Sequence, residues 1–503
     1  MTVPFDPERR RVLLAGAGML LLPAGVHAQI LAPSVAPFSL GVASGWPSAT
    51  SVVLWTRLTS ALTELHASDR MPVGWELAAD ADFKAVVARG EAMAEREWAH
   101  SVHVEVAGLD PDRWYWYRFH AQGQRSPVGR TRTLPEATAR PAHLRMVFTS
   151  CQHYEGGWYG AHRHIAAEEP DFVIFLGDYI YETSYRHAVR RHPERTEIQT
   201  LDEYRRRYAC YKGDPDLQAG HAACPWLVAW DDHEVRNNYP GHLPLEYLLP
   251  RRAAAYQAFW EHMPLPERLR PDGPTMRRLY THFDFGDLVR ICMLDTRQYR
   301  SPQLTASQVH AESDRLLNDP TRTMLGEAQE AWLHARLGTS SAIWNVVAQQ
   351  TIVSRSGAGK HASYRIASDR WDGYPAARGR LMDALRSTAN PVVIGGDVHS
   401  FWVGELTEDL YDPRTPPVAT ELVSSSVSSV GPSARTVARR IASNPQMRYG
   451  NGAWRGYVRL DIRREHIDAA LRAVYDVTSP DTGAFTLATF LNMADIPGVV
   501  RTS

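Results

Sequence analysis

The stretch FVIFLGDYIYE, residues 172–182, decides how the rest of this chain is interpreted. Its first five residues form a continuous apolar run of strand length, which is typical of a parallel strand buried on both faces. The run stops at Gly177 and Asp178, so the sequence predicts a carboxylate at the carboxyl edge of a sheet, where open α/β sheets bind ligands. There Asp178 and Tyr181 can face one metal ion. The plainer alternative is a strand end whose Asp178 only caps the next helix.

Three further segments share this design, in which an apolar run stops at residues able to bind a metal. They are Ser150–Gln152, Asp231–Glu234 and Gly395–His399. Neighbouring parallel strands place their carboxyl ends along one edge, so residues far apart in the sequence converge there. The four strand ends together predict a cluster of metal ligands.

Length and composition define the class of protein. The chain has 503 residues, of which 44% are hydrophobic and 22% charged, and this is the composition of a soluble globular protein too long for one ordinary core. The formal net charge of -1 supplies no basic field, so we expect no nucleic-acid-specific binding. We expect two domains, or one large domain with a satellite.

The N-terminus has the pattern of an export signal over residues 1–28. Arginines at 9–11 precede a short apolar stretch and a small-x-small site, with cleavage expected after Ala28. The apolar run is too short to cross a bilayer comfortably, and an uncleaved membrane anchor is the alternative. The paired arginines resemble the signal that the Tat export machinery reads on folded proteins. We therefore expect a periplasmic or secreted protein.

Two structural regions follow the signal. Residues 37–134 read as short alternating or β-branched strands, and Leu109-Asp110-Pro111 resembles the tyrosine corner of sandwich domains, which predicts a fibronectin-III-like β-sandwich. Over residues 143–480 strands alternate with helical segments, and residues 481–503 form a C-terminal segment. The predicted fold class is α/β, with the β-sandwich in front of a layered α/β domain.

Four cysteines need an account in an exported protein. Cys210 and Cys224 flank a helix-breaking turn, which leaves open either a disulfide across a helical hairpin or two thiols. Cys292 lies within a predicted strand and is expected to be an inert core thiol. Cys151 lies at one of the four strand ends, and a buried structural thiol is its alternative role.

The complete set of motifs resembles a known family. Gly177-Asp178 with Tyr181, the Asp-His-Glu of 232–234 and a final Gly-x-x-His resemble the calcineurin-like metallophosphoesterases, particularly purple acid phosphatases. The fuller strings are FTSCQ at 148–152, LGDYIY at 176–181, WDDHEV at 230–235 and GGDVH at 395–399. Over nearly the whole chain they resemble the PhoD-type alkaline phosphatase/phosphodiesterase family. This resemblance implies hydrolysis of phosphate mono- or diesters, with a small phosphate ester or a phospholipid head group as the bound partner.

The resemblance also implies a site that holds one ferric ion and calcium. The implied ligands are Cys151, Asp178 and Tyr181 on the iron side, and Asp232 and Asp397 on the calcium side. Asp178 is expected to bridge the two ions, and His399 can join either. Phenolate and carboxylate oxygens suit Fe³⁺, and oxygen donors suit Ca²⁺. The thiol is the unusual member, because the acid phosphatases have an Asp at that point.

Asp178 and His233 are the predicted catalytic residues. Two ions about 3.5–4 Å apart, with Asp178 between them, would hold a phosphate and lower the pKa of a bound water. His233 directly follows Asp232, and an imidazole beside an acid keeps its proton near neutral pH, so His233 is expected to protonate the leaving alkoxide. The alternative is that Asp231 or Glu234 orients His233 as a ligand or a structural group.

Polar residues beyond the ligands complete the predicted site. Asn237 and Asn238 are expected to bind substrate by donating to a phosphate oxygen, or to ligate calcium, although either can equally cap the next turn. Asp295 and Arg297 resemble the family motif Leu-Asp-x-Arg and are expected to support the site indirectly. The His- and Arg-rich loop between residues 185 and 195 either attracts a phosphate or is simply solvated.

Two other functions are compatible with these motifs. A phospholipase D-like phosphodiesterase on the same scaffold requires an apolar or amphipathic access face, which the sequence does not locate. A non-catalytic extracellular metal-containing binding protein is opposed by His233, because a structural metal site has no use for an adjacent acid. We assign the sandwich no substrate role.

Overall fold

A computed structural model of the chain describes residues 37–59, 69–239, 248–275, 278–305, 308, 315–359, 366–412 and 414–503. The stretch Ala36–Ser503 groups as one compact unit. The predicted signal at 1–28 lies outside the described residues. None of the helices in the described ranges has the length and apolar character needed to cross a membrane.

The described residues form three β-sheets. Their strands are β1 Val42–Gly45, β2 Ser51–Arg57, β3 Arg70–Ala78, β4 Val86–Glu95, β5 Ser101–Ala107, β6 Trp114–Ala121, β7 Gln124–Arg125, β8 Gly129–Arg132, β9 His143–Thr149, β10 Phe172–Phe175, β11 Trp226–Val228, β12 Thr281–Phe285, β13 Val289–Met293, β14 Trp344–Ala348, β15 Pro391–Gly395, β16 Phe401–Thr407, β17 Pro417–Val423, β18 Met447–Asn451, β19 Arg455–Arg463, β20 His466–Val474, β21 Ala484–Met493 and β22 Ile496–Arg501. The ten-stranded sheet has the order β22-β21-β20-β19-β9-β10-β11-β1-β2-β5. The seven-stranded sheet has the order β12-β13-β14-β15-β17-β16-β18, and the third sheet is β4-β3-β6-β7 with β8 on β6.

Helices cover the outer faces of the two large sheets. They are α1 Gly160–Ala167, α2 Leu201–Lys212, α3 Pro215–Ala223, α4 Leu249–His262, α5 Glu327–Gly338, α6 Pro375–Arg386 and α7 Ala434–Ser443. Within β9, β10 and β15 alternate side chains point to opposite faces. Phe148, Ile174 and Ile394 fill the core between the two sheets. Phe175 packs in a cluster with residues of α1 to α4, and Val393 packs with residues of α5 and α6.

The result is a four-layer arrangement of helix, sheet, sheet and helix, which confirms the predicted α/β class. Strands β9, β10 and β11 run parallel in one sheet. Strands β13, β14, β15 and β17 run parallel in the other. A parallel bridge between Ser150 and Ser426 joins the two sheets just past the ends of β9 and β17. The carboxyl ends of seven strands therefore meet at one end of the molecule.

The N-terminal strands form a second core against the first. Tyr115, Tyr117 and Phe119 of β6 are buried with residues of β2, β3 and β5. The hydroxyl of Tyr115 accepts the backbone N–H of Asp110 at 2.9 Å, which is the bond of a tyrosine corner. One face of this sandwich belongs to the ten-stranded sheet, because β1 pairs with β11. The division into segments at 37–134, 143–480 and 481–503 stays a prediction. The ten-stranded sheet crosses both boundaries between them, because it contains β1, β2 and β5 of the first segment, β9 to β11 of the second, and β21 and β22 of the third.

All four cysteines are free thiols. The alternative of two thiols therefore applies to Cys210 and Cys224. Cys210 lies on α2 and is half-buried, whereas Cys224 is buried just past the end of α3. Cys292 lies within β13 and is buried among apolar residues of β14 and α6, as expected for a core thiol.

Candidate metal centre

The candidate ligands lie directly after strand ends, on backbone that turns sharply. Cys151, Asp178, Asp397 and His399 have φ values of 61°, 55°, 63° and 51°. Residues other than glycine rarely adopt this left-handed conformation, which costs on the order of 1–3 kcal/mol and is concentrated at functional sites. The chain therefore keeps four strained residues in three turns, at the one edge where β9, β10 and β15 end.

The buried carboxylate of Glu234 connects the turn after β10 with the turn after β11. Glu234 accepts the backbone N–H groups of Asp178 at 3.1 Å, Tyr179 at 2.5 Å and Asp231 at 2.8 Å. Gly177, with φ of 99°, allows the close approach, because a Cβ atom there would lie 2.4 Å from the nitrogen of Asp231. The turn after β10 is therefore fixed against the turn after β11.

The side chains converge as two donor groups that share one carboxylate. Cys151, Asp178 and His399 form the first group, and Asp178, Asp232 and His233 form the second, with the donor atoms of each group within 4.8 Å of one another. Asp178 belongs to both groups, which is the position required of a bridging ligand. Four of the metal ligands predicted from the sequence therefore lie at this edge, namely Cys151, Asp178, Asp232 and His399.

Tyr181 adds its phenol to the first group. Its hydroxyl donates to Oδ2 of Asp178 at 2.8 Å and lies 3.0 Å from Nε2 of His399. Nδ1 of His399 donates to the carbonyl of Val430 at 2.8 Å, which leaves Nε2 facing the cluster. Ser429 lies 2.9 Å from the Tyr181 hydroxyl and 2.8 Å from the carbonyl of Cys151. The structure therefore places His399 on the side of Cys151 and Tyr181.

The chemistry of this cluster fits a bound cation. Asp178, Asp231 and Asp232 are at most 2% exposed. Their atoms Asp178 Oδ1, Asp231 Oδ2 and Asp232 Oδ1 are buried without a hydrogen-bond partner in the described part of the chain. Such oxygens are costly to bury unless a cation or a donor meets them. Burial and the neighbouring carboxylates hold the pKa of Asp178 well above its usual value, although His233 opposes them.

Without a cation, the thiol and the phenol of the first group keep their protons. Burial, together with the charge of Asp178, raises the pKa of Cys151 well above its usual value. The same two causes raise the pKa of Tyr181. A metal ion reverses this trend, because coordination stabilises the deprotonated ligand. A bound metal would therefore convert this thiol and this phenol to anionic ligands.

A third acidic group is neutralised by an arginine. Asp231, Asp232 and Asp397 also place oxygens within 4.8 Å of one another. Arg297 forms an ion pair with Asp231 and lies 3.4 Å from oxygens of both Asp232 and Asp397. Asp295 holds this arginine in place by accepting its backbone N–H at 3.0 Å. The structure thus places Asp295 and Arg297 in the supporting role expected of them.

Two side-chain donors, Thr351 and Arg370, bind the carboxylate of Asp397. Its Oδ2 accepts from Oγ1 of Thr351 at 2.8 Å and from Nε of Arg370 at 3.2 Å. These two bonds occupy Oδ2, so Oδ1, which lies 3.4 Å from Arg297, is the oxygen of Asp397 that can ligate a metal. Asp397 is consequently the most firmly positioned of the predicted ligands.

Glu182 orients His233, and the sequence analysis did not predict this role. The Oε2 of Glu182 lies 2.6 Å from Nδ1 of His233, and its Oε1 accepts the backbone N–H of Asn237 at 2.7 Å. The alternative that Asp231 or Glu234 orients His233 is therefore wrong, because those side chains bind Arg297 and backbone N–H groups. Glu182 directly follows Tyr181 in the sequence, but no local pattern connects it with a histidine 51 positions later.

The environment of His233 favours its protonated form. Burial would lower the pKa of His233, but the carboxylates of Asp178, Asp232 and Glu182 outweigh burial and raise that pKa well above its usual value. With Nδ1–H donated to Glu182, the second ring nitrogen is the one available toward Asp178 and Asp232. This geometry is that of an oriented acid, and it equally resembles a metal-bound histidine held by a carboxylate.

The cluster opens into a cleft of about 360 Å³. The cleft is lined by Asp178, Asp232, His233, Asn237, Asn238, Asp369, Arg370, Asp397, Val398, His399, Val430, Pro432 and Arg440. The backbone N–H of Asn238 donates to Asp232, and that of Asn237 donates to Glu182. Both asparagines therefore hold the site through their backbone, and the substrate-binding role of their side chains stays a prediction.

Arg190 and His192 of the basic loop at 185–195 are buried, whereas its other arginines and histidine are exposed. Arg190 pairs with Asp214 at 2.5 Å and lies 3.8 Å from the ring of Tyr154. His192 is 2% exposed. Tyr185 stacks on the ring of His153 at 3.7 Å. Arg190 and His192 therefore have structural partners, and phosphate attraction by the exposed part of the loop stays a prediction.

Comparisons with known proteins match most of the chain. A family profile described as PhoD-like phosphatase matches residues 146–471, and a profile for the N-terminal domain of PhoD-like phosphatases matches residues 26–135. Alkaline phosphatase D of Bacillus subtilis (strain 168) is 43% identical over 487 residues, which cover 93% of this chain and 82% of that protein. A solved structure entitled "Structure of PhoD" superposes with a TM-score of 0.88 at 42% identity, and covers 93% of this chain and 92% of that one.

The division of the predicted ligands into a side with Cys151 and a side with Asp232 and Asp397 predicts separable metal losses. Supplied with iron and calcium, Cys151→Ser should lose iron affinity by at least about tenfold and keep calcium, because the thiol belongs only to the first group. Asp397→Asn should show the reverse, and Asp178→Asn should lose both. Elemental analysis after dialysis gives the metal content of each variant. Equal loss of both metals in Cys151→Ser would contradict the division into two sides.

Proposed function

Since this chain belongs to the PhoD-like phosphatase family, it is a phosphoric ester hydrolase, and we propose that it cleaves phosphate mono- and/or diesters at a binuclear centre holding Fe³⁺ and Ca²⁺. The observation that carries the proposal is the convergence of buried, unpartnered carboxylate oxygens on Asp178, beside a thiol, a phenol and an oriented histidine. Family membership also favours an enzyme over a non-catalytic binding protein.

The donor types support the choice of metals. The first group combines the phenol of Tyr181, the thiol of Cys151 and a carboxylate, and anionic oxygen donors suit Fe³⁺. On the other side Asp232 and Asp397 offer carboxylate oxygens, which suit Ca²⁺. When bound, the two cations act as Lewis acids that bind a phosphate and acidify a water.

The protein's own groups complete the proposed reaction. Asp178 fixes the spacing of the two donor groups because it belongs to both. His233 donates one N–H to Glu182 and carries its second proton toward the cleft, where it is available to the leaving alkoxide. The buried carboxylate of Glu182 fixes the tautomer and the ring orientation, as the carboxylate of a catalytic dyad does. The cleft admits a small phosphate ester as substrate.

The phospholipase D-like alternative gains little support. It requires an apolar access face, and among the described residues that line the cleft Val430, 68% exposed, is the one large exposed apolar side chain. A single valine is far smaller than the surface needed to accept a lipid. We therefore favour small esters over phospholipids.

We further propose that the chain is exported by the Tat machinery through residues 1–28 and acts in the periplasm or outside the cell. Replacing Arg9 and Arg10 by lysine should leave the full-length protein in the cytoplasm, because the paired arginines are the recognised feature. Cell fractionation and mass spectrometry of the N-terminus provide the measurement. An exported wild-type protein that does not begin at Gln29 would refute the cleavage site, and unimpaired export of the double variant would refute the route.

The contact between Glu182 and His233 predicts a shift in the pH profile. His233 must be protonated to act, and its raised pKa keeps it protonated to higher pH. Glu182→Gln removes part of this effect, so the decline of kcat at high pH should move to lower pH, with kcat reduced on the order of tenfold. The exposed Glu327→Gln on α5 is the matched control. If the profile of Glu182→Gln coincides with that of the wild type, Glu182 does not set the protonation of His233.

Hydrolysis of two model esters tests the proposed function. The mature protein supplied with iron and calcium should hydrolyse p-nitrophenyl phosphate, bis(p-nitrophenyl) phosphate or both, and the ratio of kcat/KM values gives the preference. Asp178→Asn should lose at least about 10²-fold in kcat because it disrupts both metal positions. The exposed Asp481→Asn should behave as the wild type. A metal-loaded protein that hydrolyses neither ester would rule out general phosphoesterase action.

A further inference from the structure

Arg370 lines the cleft beside the candidate ligand Asp397, and one of its nitrogens has no acceptor among the described residues. Arg370 donates from Nε to Asp397 at 3.2 Å, and its side chain is 15% exposed where it lines the cleft. Its NH1 nitrogen is buried and has no hydrogen-bond partner among the residues that the structure describes. A buried guanidinium nitrogen without an acceptor is unfavourable. The exposed part of the side chain borders the cleft, where a guanidinium can meet an anionic ligand.

The backbone around Arg370 is rigidly held. Trp371 is fully buried, and its Nε1 donates to the side chain of Gln349 at 3.1 Å. The carboxylate of Asp372 accepts the N–H of Ser356 at 3.0 Å and pairs with Arg378 at 2.8 Å. Both residues after Arg370 are therefore anchored to the seven-stranded sheet and its covering helix. A guanidinium on such a support acts as a preorganised donor.

Arg370 is not needed to neutralise the acidic cluster by itself. Arg297, only 1% exposed, already lies among Asp231, Asp232 and Asp397. Arg370 is a second arginine on the cleft side of Asp397. It borders the space in which the phosphate of the proposed substrate must lie.

Phosphodiesters and phosphomonoesters differ in the number of non-bridging oxygens that a second arginine could bind. A phosphodiester has two non-bridging oxygens, and the two cations of the proposed centre are enough to meet them. A phosphomonoester has a third non-bridging oxygen and a further negative charge. That oxygen needs an additional cationic donor, and arginine is the side chain whose planar fork fits phosphate oxygens.

We propose that Arg370 binds the third non-bridging oxygen of a phosphomonoester and of the product phosphate, and thereby sets the balance between monoesters and diesters. This inference rests on the proposed function, because it assumes that phosphate esters react in this cleft. It assigns to Arg370 a role in specificity that the predicted ligands and His233 do not supply.

The test compares wild type, Arg370→Ala and Arg370→Lys, with Arg439→Ala on the exposed face of α7 as the matched loss of an arginine. Calorimetric titration of the iron- and calcium-loaded protein with inorganic phosphate measures binding without turnover. Steady-state kinetics with p-nitrophenyl phosphate and bis(p-nitrophenyl) phosphate measure specificity. Elemental analysis of each variant establishes that the metals are retained.

In Arg370→Ala we expect phosphate to bind roughly 10- to 100-fold more weakly, as for the loss of one charge-assisted hydrogen bond. The kcat/KM for the monoester should fall by a similar factor, and that for the diester should change much less. Arg370→Lys should lie between wild type and Arg370→Ala, and Arg439→Ala should match the wild type.

Three results overturn the inference while leaving the proposed function intact. They are unchanged phosphate affinity in a metal-loaded Arg370→Ala, equal losses for the two esters, and loss of metal as the sole defect. By contrast, a wild-type protein that hydrolyses neither ester contradicts the proposed function. In that case the titration with inorganic phosphate still decides whether Arg370 binds a phosphate oxygen, so the two failures are distinguishable.

Discussion

The structure depends on keeping several carboxylates buried at one edge of two sheets. At an effective dielectric constant near 20, two like charges about 4 Å apart repel by about 4 kcal/mol. Oxygens of Asp232 lie within 4.8 Å of oxygens of Asp178, Asp231 and Asp397. Arg297, Arg370 and His233 compensate part of this charge. Oδ1 of Asp178 remains without a partner among the described residues, and a bound cation would satisfy it.

The scaffold resists this repulsion through contacts between turns. Glu234 ties the turn after β10 to the turn after β11, and the Ser150–Ser426 bridge ties the ends of β9 and β17. Left-handed backbone at Cys151, Asp178 and Asp397 is maintained because the strands before these residues are buried on both faces. The rigid sheets therefore bear the strain that positions the ligands.

The acid and the metal groups form one continuous network. Glu182 follows the ligand Tyr181 directly and contacts His233, which follows the ligand Asp232. A displacement of either strand end would consequently move both a ligand and the histidine. Asp397 likewise has two roles. It is a predicted metal ligand, and its oxygen accepts a hydrogen bond from Arg370, the group that we expect to bind substrate. Binding, proton donation and metal ligation thus share a small set of strand ends.

The sequence by itself determined the α/β class and the residues at the strand ends, because these depend on local patterns. An apolar run that stops at Gly177-Asp178 indicates a buried strand and its functional edge without knowledge of its neighbours. The tyrosine corner at Tyr115 is likewise a local feature, and the structure contains its hydrogen bond. The ligand set came from motifs of this kind together with the resemblance to one family.

The partners of these residues were decided only by the tertiary structure. Glu182 with His233, Arg297 among three aspartates and Arg370 on Asp397 join residues that lie 27 to 100 positions apart. The packing of Arg190 against Asp214 and the pairing of β1 with β11 are equally non-local. Such contacts follow from which strands become neighbours and how their turns are packed. A local pattern specifies that a charged side chain is present, and only the assembled fold specifies the charge that it meets.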